Sequence, residues 1–196
     1  MAILAIETSS GIGSVALREE DGSITSRSFE GGQRHSTMLF PELEALGIQQ
    51  ARIDRIIIGI GPGSFSGIRV AIAAAQGIAL AKSASVVGIC SAWSVAMQKP
   101  QVTRLGVFAD ARRGERYLTI FAQGKMERET FLVPNDSVEE MLSKFTEVVC
   151  ADPLPFIPAI CFPRAADYLL LKEDFSDWVT SDPLEPIYLR DPVVGS

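Results

Sequence analysis

A glycine-rich loop is the first stretch of this sequence whose residue types could do chemistry. It spans residues 61–67, after the apolar run 56–58 and before a helix of small residues. Glycine adopts positive φ and lets backbone N–H groups approach an anion, and a helix N-terminus adds partial positive charge. Strand, glycine turn and helix in this order predict a phosphate-binding loop, with Arg69 placed to assist. The loop residues that we predict to face a nucleotide are Gly61, Gly63, Ser64 and Gly67.

The loop matches none of three motifs that would define its chemistry. A Walker A loop ends in Gly-Lys-Ser/Thr, but Ile68 and Arg69 follow Gly67 here. A nucleophile elbow carries Ser at its centre, where this loop has Phe65. A Rossmann fingerprint has one residue fewer between its glycines and an acidic residue about 20 positions later. A tight turn without a ligand is therefore an equally good interpretation.

Two acidic residues follow apolar runs and could face the same cleft. Glu7, with Thr8 beside it, ends the first run, and Asp110 ends a similar run in the second half of the chain. A pair of carboxylates can act in acid–base catalysis. The alternative, which we favour, is that each carboxylate caps its own loop through backbone hydrogen bonds. No constellation of a protease or a metal site is present, so we predict no catalytic residue and no metal ligands.

The order of predicted elements repeats in the two halves of the chain. The first half predicts three strands, a helix, a strand, a helix, a strand and a short helix, over residues 3–7, 14–18, 23–29, 35–46, 56–58, 67–81, 86–89 and 91–99. The second half predicts three strands, a helix, a strand, a proline-rich link and a last helix, over residues 104–109, 117–122, 125–133, 137–145, 148–149, 152–158 and 163–171. Aligning Glu7 with Asp110 gives a repeat of about 103 residues. We therefore predict an α/β protein of duplicated β-β-β-α-β-α lobes, 1–100 and 101–196, that meet at a cleft.

The helix predicted over 67–81 is apolar nearly all round. Its only strongly polar side chains are Arg69 and Gln76, which lie seven residues apart and therefore on one face. Such a helix is expected to be buried on more than one side. One side can be its own sheet, and the other can be either more of this chain or another protein.

Composition excludes several classes of function. The chain has 18 Lys and Arg against 24 Asp and Glu, a net charge of −6, so it lacks the basic surface that autonomous nucleic-acid binding needs. Its first residues lack the cationic region of a signal peptide, and we predict no membrane-spanning segment and a cytoplasmic protein. The three cysteines are widely spaced, which favours reduced thiols over disulfides or a zinc site.

Five stretches resemble one known family. They read ILAIETS, HS, GPGSFSGIR, DARRGE and PIYLR, at residues 3–9, 35–36, 61–69, 110–115 and 186–190. Together, in this order, they resemble the bacterial TsaB family, also called YeaZ. The resemblance implies an actin/Hsp70-like (ASKHA, RNase H-like) fold, which agrees with the two duplicated lobes. It also implies a role in forming threonylcarbamoyladenosine next to the anticodon of tRNA.

The resemblance implies a partner rather than an enzyme. In this pathway TsaD transfers the threonylcarbamoyl group, together with TsaB and the ATPase TsaE, and TsaB is a non-catalytic subunit that forms a heterodimer with TsaD through helices of its N-terminal lobe. TsaD-like proteins bind a metal with two histidines, whereas this chain has one histidine. Carried onto this sequence, the partner-binding residues of the two helices are His35, Leu39, Leu43, Arg69, Ile72, Ala73, Gln76 and Leu80.

The family also sets expectations for ligands and assembly. We expect a homodimer when the chain is alone, a TsaE-type ATPase as a further partner, and contact with tRNA only through the complex. No firmly bound cofactor is expected, because the second lobe is short and its cleft shallow. ATP or ADP could still lie at the partner interface. Three functions stay open: a scaffold for a TsaD homologue, an actin-like ATPase that uses the 61–67 loop with Glu7 and Asp110, and a homodimeric regulator.

Overall fold

Two β-sheets, whose strands follow the same order along the chain, form the framework of the protein. The computed structural model describes residues 1–31, 34–154, 156–157, 159–171, 184–187 and 189. Residues 155 and 158 of the predicted link, and residues 188 and 190 of the family stretch 186–190, lie outside the described residues.

The first half of the chain forms a five-stranded sheet with three helices. Its elements are β1 (Ala2–Glu7), β2 (Ile12–Arg18), β3 (Ile24–Glu30), α1 (His35–Ala45), β4 (Ile53–Gly59), α2 (Phe65–Lys82), β5 (Ser85–Ile89) and α3 (Ala92–Met97). The strand order is β3-β2-β1-β4-β5. β1, β2 and β3 pair antiparallel, and β4 pairs parallel with both β1 and β5. Gly22, with a φ of 86°, allows the tight turn of the β2–β3 hairpin.

The second half repeats this arrangement on a smaller scale. Its elements are β6 (Arg104–Asp110), β7 (Glu115–Ala122), β8 (Lys125–Pro134), α4 (Asn135–Leu142), β9 (Glu147–Cys150) and α5 (Ala165–Tyr168). The strand order β8-β7-β6-β9 matches that of β3-β2-β1-β4. The predicted duplication and the actin-like α/β class are therefore confirmed.

The second copy departs from the first after β9. Where β5 lies beside β4, a single parallel bridge between Cys150 and Ile160 lies beside β9. The described residues between these two positions contain no counterpart of α2. The helix predicted over 163–171 is confined to α5. The N–H groups of Leu169 and Leu170 donate to the carbonyls three residues back, so the α-helix ends there in tighter turns.

The first sheet is covered on both faces, which explains why its central strands are apolar over residues 2–6 of β1 and 56–59 of β4. Leu4, Ile6 and Ile58 face α1 and α2. Ile3, Ala5 and Ile57 face the opposite side, where α5 packs with Ala165, Tyr168 and Leu169. A helix from the second half of the chain thus completes the core of the first sheet. The division into lobes 1–100 and 101–196 stays a prediction, and in packing terms α5 belongs with the first lobe.

Helix α2 has one face packed against the sheet and one face that the described part of this chain leaves exposed, so burial of its second side by another protein stays a prediction. Ile68, Ala71, Ile72 and Ala75 are buried against the sheet. Within the described residues α2 is also the helix long and apolar enough to cross a membrane by length and composition, a test that core helices pass too. Its contacts with β1, β4 and β5 show that it serves as a core helix here.

A cluster of buried polar groups holds α5 against the first lobe. Ser94, at the centre of α3, donates from its hydroxyl to Asp167 Oδ2 at 2.6 Å and accepts the Arg164 N–H at 2.6 Å. The Ala165 N–H donates to Ser14 Oγ at 2.9 Å, on β2. These bonds satisfy the N–H groups at the start of α5, which would otherwise be buried without partners.

We predict that Ser94→Ala destabilises the protein by about 1–3 kcal/mol, because it leaves the Arg164 N–H without a partner and removes one donor from the buried Asp167 carboxylate. Urea unfolding followed by circular dichroism measures the change. The matched control is Ser143→Ala at an exposed hydroxyl that bonds only the Glu140 carbonyl. We expect the control to change stability by less than about 0.5 kcal/mol. Equal effects of the two variants would contradict the role of Ser94.

Candidate functional site

The glycine loop between β4 and α2 packs directly against the turn that follows β1. Cβ atoms at Gly63 and Gly67 would overlap the carbonyl oxygens of Ser9 and Thr8, so only glycine fits at both positions. The Ser64 N–H donates to the Ser9 carbonyl at 2.6 Å, and Thr8 Oγ1 donates to the Gly67 carbonyl at 2.8 Å. The glycines therefore serve a close backbone contact inside the protein.

Three of the four loop N–H groups that we predicted to bind phosphate, those of Gly61, Ser64 and Gly67, have partners within the chain. The Gly61 N–H donates to Ser91 Oγ at 3.1 Å, and the Gly67 N–H donates to Ser64 Oγ at 3.3 Å. Ser64 thereby caps α2. A tight structural turn accounts for all of these contacts. Nucleotide contact at Gly61, Gly63, Ser64 and Gly67 stays a prediction that this geometry does not favour.

Glu7 and Thr8 are fully buried, which corrects the prediction that they face an open cleft. Glu7 Oε1 accepts the Ser9 N–H at 2.5 Å, and Oε2 accepts a short hydrogen bond from the Tyr168 hydroxyl. A Cβ at Gly59 would overlap Oε2, so a larger residue would not fit there. Burial, together with the Glu7 charge, raises the pKa of Tyr168 well above its usual value. The phenol therefore stays protonated as a donor, and α5 covers the carboxylate.

Asp110 is a partly exposed acid that stabilises its own hairpin. Its carboxylate accepts the Arg112 N–H at 3.0 Å and an Arg116 guanidinium N–H at 2.9 Å, and Arg112 also approaches it at 3.3 Å. The capping interpretation is therefore confirmed for Asp110 and, through Ser9, for Glu7. In the part of the chain that the structure describes, no hydrogen bond joins the two acids.

His35 is buried and connects three segments of the first lobe. Its Nε2 lies 3.0 Å from the Ser10 carbonyl, which accepts the ring N–H. The ring meets Phe29 edge-on, with 6.3 Å between centroids, and lies so close to Gly31 that a Cβ there would overlap it. His35 is thus a core residue that ties the β1 turn to the start of α1, and a partner cannot reach it.

Three more residues that we predicted to contact a partner are also inaccessible. Leu39 and Leu43 are buried because the apolar stripe of α1 faces the first sheet. Ile72 is buried because it lies on the packed face of α2. As partner-binding residues, His35, Leu39, Leu43 and Ile72 are therefore corrected to core residues.

The remaining predicted residues lie together on a surface that we term the α2 outer face, defined by Phe65, Arg69, Ala73, Gln76 and Leu80. All five are exposed, and their spacing of three or four residues places them along one stripe of the helix. Phe65 is 54% exposed and Leu80 is 88% exposed. The Arg69 guanidinium lies 4.9 Å from the centre of the Phe65 ring. Phe65 was missed from sequence, although its position four residues before Arg69 could have indicated it.

Phe40 is a further large apolar side chain that is exposed, on the neighbouring helix. It is 55% exposed on the outer side of α1, and α1 packs against α2. Exposed aromatic residues next to arginine are typical of protein interfaces. Phe40 was also missed, because the sequence does not show which face of α1 lies on the sheet.

A cavity of about 730 Å³ opens between the end of the β2–β3 hairpin, α1 and the segment after β9. Asp152 and Gly11 both line it. Burial, followed by repulsion from Asp110, raises the pKa of Asp152, while the backbone amides of Asp110 and Gly11 and the charge of Arg112 act in the opposite direction. Asp152 was missed because nothing local in the proline-rich stretch shows that it returns to the first lobe.

The three cysteines are free thiols, as predicted. Burial raises the pKa of each of them, so they are mostly protonated and unreactive. Among the described residues, no group of three or more His, Cys, Asp or Glu side chains could hold a metal ion.

Comparisons with known proteins agree with this architecture. Residues 33–176 match the family model described as TsaD: tRNA N6-adenosine threonylcarbamoyltransferase. The tRNA threonylcarbamoyladenosine biosynthesis protein TsaB of Escherichia coli is 33% identical over 124 residues, which cover 60% of this chain and 53% of that protein. TsaB of Bacillus subtilis is 27% identical over 76% of this chain and 66% of its own length. The chain thus aligns with between about half and two thirds of these relatives.

A solved structure matches almost the whole chain. YeaZ from Pseudomonas aeruginosa superposes with a TM-score of 0.75 at 26% identity, over 96% of this chain and 99% of that one. A match of this length covers both sheets and their helices.

We predict that Tyr168→Phe destabilises the protein by about 1–3 kcal/mol, because the buried Glu7 carboxylate loses the phenol that donates to it. Chemical denaturation monitored by fluorescence measures the effect. Tyr117→Phe is the matched control, since this side chain is half-buried on β7 and the substitution removes the same atom. A change in the control as large as that in Tyr168→Phe would contradict the importance of the Glu7 contact.

We predict that Asp152→Asn stabilises the protein at neutral pH. The pKa of Asp152 is raised in the folded state above its ordinary value of 3.8, so the folded protein loses stability as the pH rises through that window. The asparagine does not ionise, and its advantage should vanish below about pH 4. Thermal melting between acidic and neutral pH checks this.

Asp21→Asn is the control of opposite sign. The hydroxyl and amide of Ser23 lower the pKa of the Asp21 carboxyl, so its stabilising contribution is present above its ordinary pKa and is lost on acidification. Asp21→Asn should therefore not stabilise the protein at neutral pH. If Asp152→Asn had a lower melting temperature than the wild type at neutral pH, the conclusion that the ionised Asp152 carboxylate destabilises the fold would be wrong.

Proposed function

This chain belongs to the TsaB/YeaZ family, and on that premise we propose that it acts in the formation of threonylcarbamoyladenosine in tRNA as the partner of a TsaD-type transferase. The names of its relatives in Escherichia coli and Bacillus subtilis support the pathway. The chain's own surface supports the role of a binding subunit.

The observation that carries the proposal is the α2 outer face. It exposes Phe65 and Leu80 at its ends and the small side chain of Ala73 between them, beside Arg69. Large exposed apolar side chains on a well-packed helix lose contact with water when a partner covers them, which favours association. Arginine beside an aromatic ring is a common anchor at such interfaces. A helix of a TsaD homologue is the proposed occupant.

The closed state of the cleft supports a non-catalytic role. Glu7 lies beneath Tyr168, Asp110 pairs with two arginines, and the loop amides of Gly61 and Gly67 bind serine hydroxyls. An actin-like ATPase would need these groups to be available to nucleotide and metal. The ATPase alternative is therefore less well supported than the scaffold.

Our remaining proposals concern the assembly of the complex. We propose that the α2 outer face pairs two copies of the chain when no partner is present, and that a TsaE-type ATPase, ATP or ADP, and tRNA join only once the TsaD-type subunit is bound. The excess of acidic residues supports indirect rather than direct contact with tRNA. A cytoplasmic location follows from this role.

We predict that Ala73→Glu abolishes complex formation with the TsaD homologue of the same organism, because a carboxylate would be buried without a partner at the centre of the interface. Gel filtration with light scattering, with and without Mg-ATP, measures the mass of the mixture. The wild-type chain should form a one-to-one complex. Any homodimer of the chain alone should be weakened by the same substitution.

Thr25→Glu is the matched control, since it adds the same charge at an exposed position on the edge strand β3. The control should form the complex normally. A complex that survives Ala73→Glu would place the interface elsewhere on the chain. If the wild-type proteins did not associate in any condition, the scaffold proposal would be wrong. Nucleotide binding by the isolated chain would then be the next hypothesis to test.

A further inference from the structure

Gly77 is a glycine in the interior of α2. The helix runs over Phe65–Lys82, so Gly77 lies well inside it. Its backbone is helical, with no positive φ that would call for glycine. Glycine in a helix interior is less favourable than alanine, because it loses more conformational freedom on folding. The helix therefore carries a residue that its own secondary structure disfavours.

Packing within the described part of the chain does not explain this glycine. A Cβ at Gly77 would meet no atom within 4 Å, and the residue is exposed. Gly67, in the first turn of the same helix, is different, because a Cβ there would overlap the Thr8 carbonyl oxygen. The fold thus requires glycine at position 67, whereas the described contacts give no reason for glycine at position 77.

Gly77 forms the lowest point of a ridge on the exposed side of the helix. Residues four apart make up such ridges. One ridge of α2 consists of exposed residues only, namely Phe65, Arg69, Ala73, Gly77 and Ala81. Its side chains become smaller from the N-terminal end to Gly77, beside which Leu80 is 88% exposed. Helix axes approach to about 8–10 Å depending on the side chains between them, so a second helix could come closest to α2 at Gly77.

Arg69 gives this ridge a positive charge at a fixed distance from Gly77. Its guanidinium lies over the Phe65 ring, and none of the ion pairs among the described residues includes it. Eight residues of helix separate Arg69 from Gly77, which is about 12 Å along the axis. Complementary interfaces place opposite charges together. A partner that fits the ridge therefore offers a carboxylate at about this distance from the point of closest contact.

We propose that a helix of the TsaD-type subunit crosses α2 at Gly77 in direct contact with its backbone, and places a carboxylate beside Arg69. This inference rests on the proposed function and adds the point of closest contact and the charge that the partner carries there. A side chain at Gly77 would hold the two helices apart, and dispersion contacts would be lost along the interface. The glycine that disfavours the free helix thus favours the complex.

Gly77→Ala tests the proposal, because it should change stability and affinity in opposite directions. Alanine favours the helix and its Cβ meets no atom, so the melting temperature of the free chain should rise by about 2–4 °C. Affinity for the TsaD homologue of the same organism, measured by isothermal titration calorimetry, should fall about tenfold, as expected for overpacking. Gly77→Leu, with a larger side chain at the same exposed position, should abolish binding.

Glu140→Leu is the matched control for an added exposed leucine. Glu140 is exposed on α4, in the second half of the chain, and this variant should bind as the wild type does. Arg69→Gln tests the charge. It should bind more weakly than the wild type, and its affinity should depend less on salt concentration, because one ion pair across the interface is missing.

The outcomes separate this inference from the proposed function. If Gly77→Ala and Gly77→Leu bind as tightly as the wild type while Ala73→Glu does not bind, the proposed function stands and the close contact at Gly77 is overturned. The inference is also overturned if Glu140→Leu weakens binding as much as Gly77→Leu, or if Arg69→Gln keeps the affinity and salt dependence of the wild type. If the wild-type chain and the TsaD homologue do not associate, the proposed function is wrong and the inference fails with it.

Discussion

The buried carboxylate of Glu7 is the constraint on which much of the structure depends. A fully buried carboxylate must receive hydrogen bonds within the protein. The Ser9 N–H supplies one from the adjacent turn, and the Tyr168 hydroxyl supplies another from a helix 161 residues further along the chain. Gly59 must lack a side chain to make room. The Glu7 carboxylate at the end of β1 thus fixes the conformation of the β1 turn and requires that α5 pack against the first sheet.

The return of α5 also explains why the two lobes differ. After β9 the chain must reach the far face of the first sheet. Where the first lobe has α2 and β5, the described link therefore forms only isolated bridges, one of them at Ile160. The link carries Asp152 to the β1 turn and Phe162 to the cavity beside α1. A shortened second lobe therefore fills the cleft with the chain's own residues. The Tyr168–Glu7 contact that covers the end of β1 also holds α5 against the first sheet.

The fold was predictable because its signals are local, whereas the site depends on distant contacts. Alternation and turn residues placed each strand of both sheets within a few residues, and the repeat from Glu7 to Asp110 predicted the duplication. Pairing of Tyr168 with Glu7, or of Asp152 with Gly11, has no local signature. Orientation was the second difficulty: Leu39 and Leu43 share a stripe of α1, but only the packed sheet shows that this stripe faces inward. For α2, the polar residues Arg69 and Gln76 did mark the exposed side.

The contacts that occupy the groups of the glycine loop also fix the position of α2. Association costs less free energy when the binding surface is already ordered. The inner side of α2 is fixed by Ile68, Ala71 and Ala75, and its first turn is capped by Ser64 and joined to the β1 turn through Thr8. Glu7 and Tyr168 hold the β1 turn in place. The residues around the glycine loop therefore position α2 here, and the same contacts would give the proposed partner a rigid surface to bind.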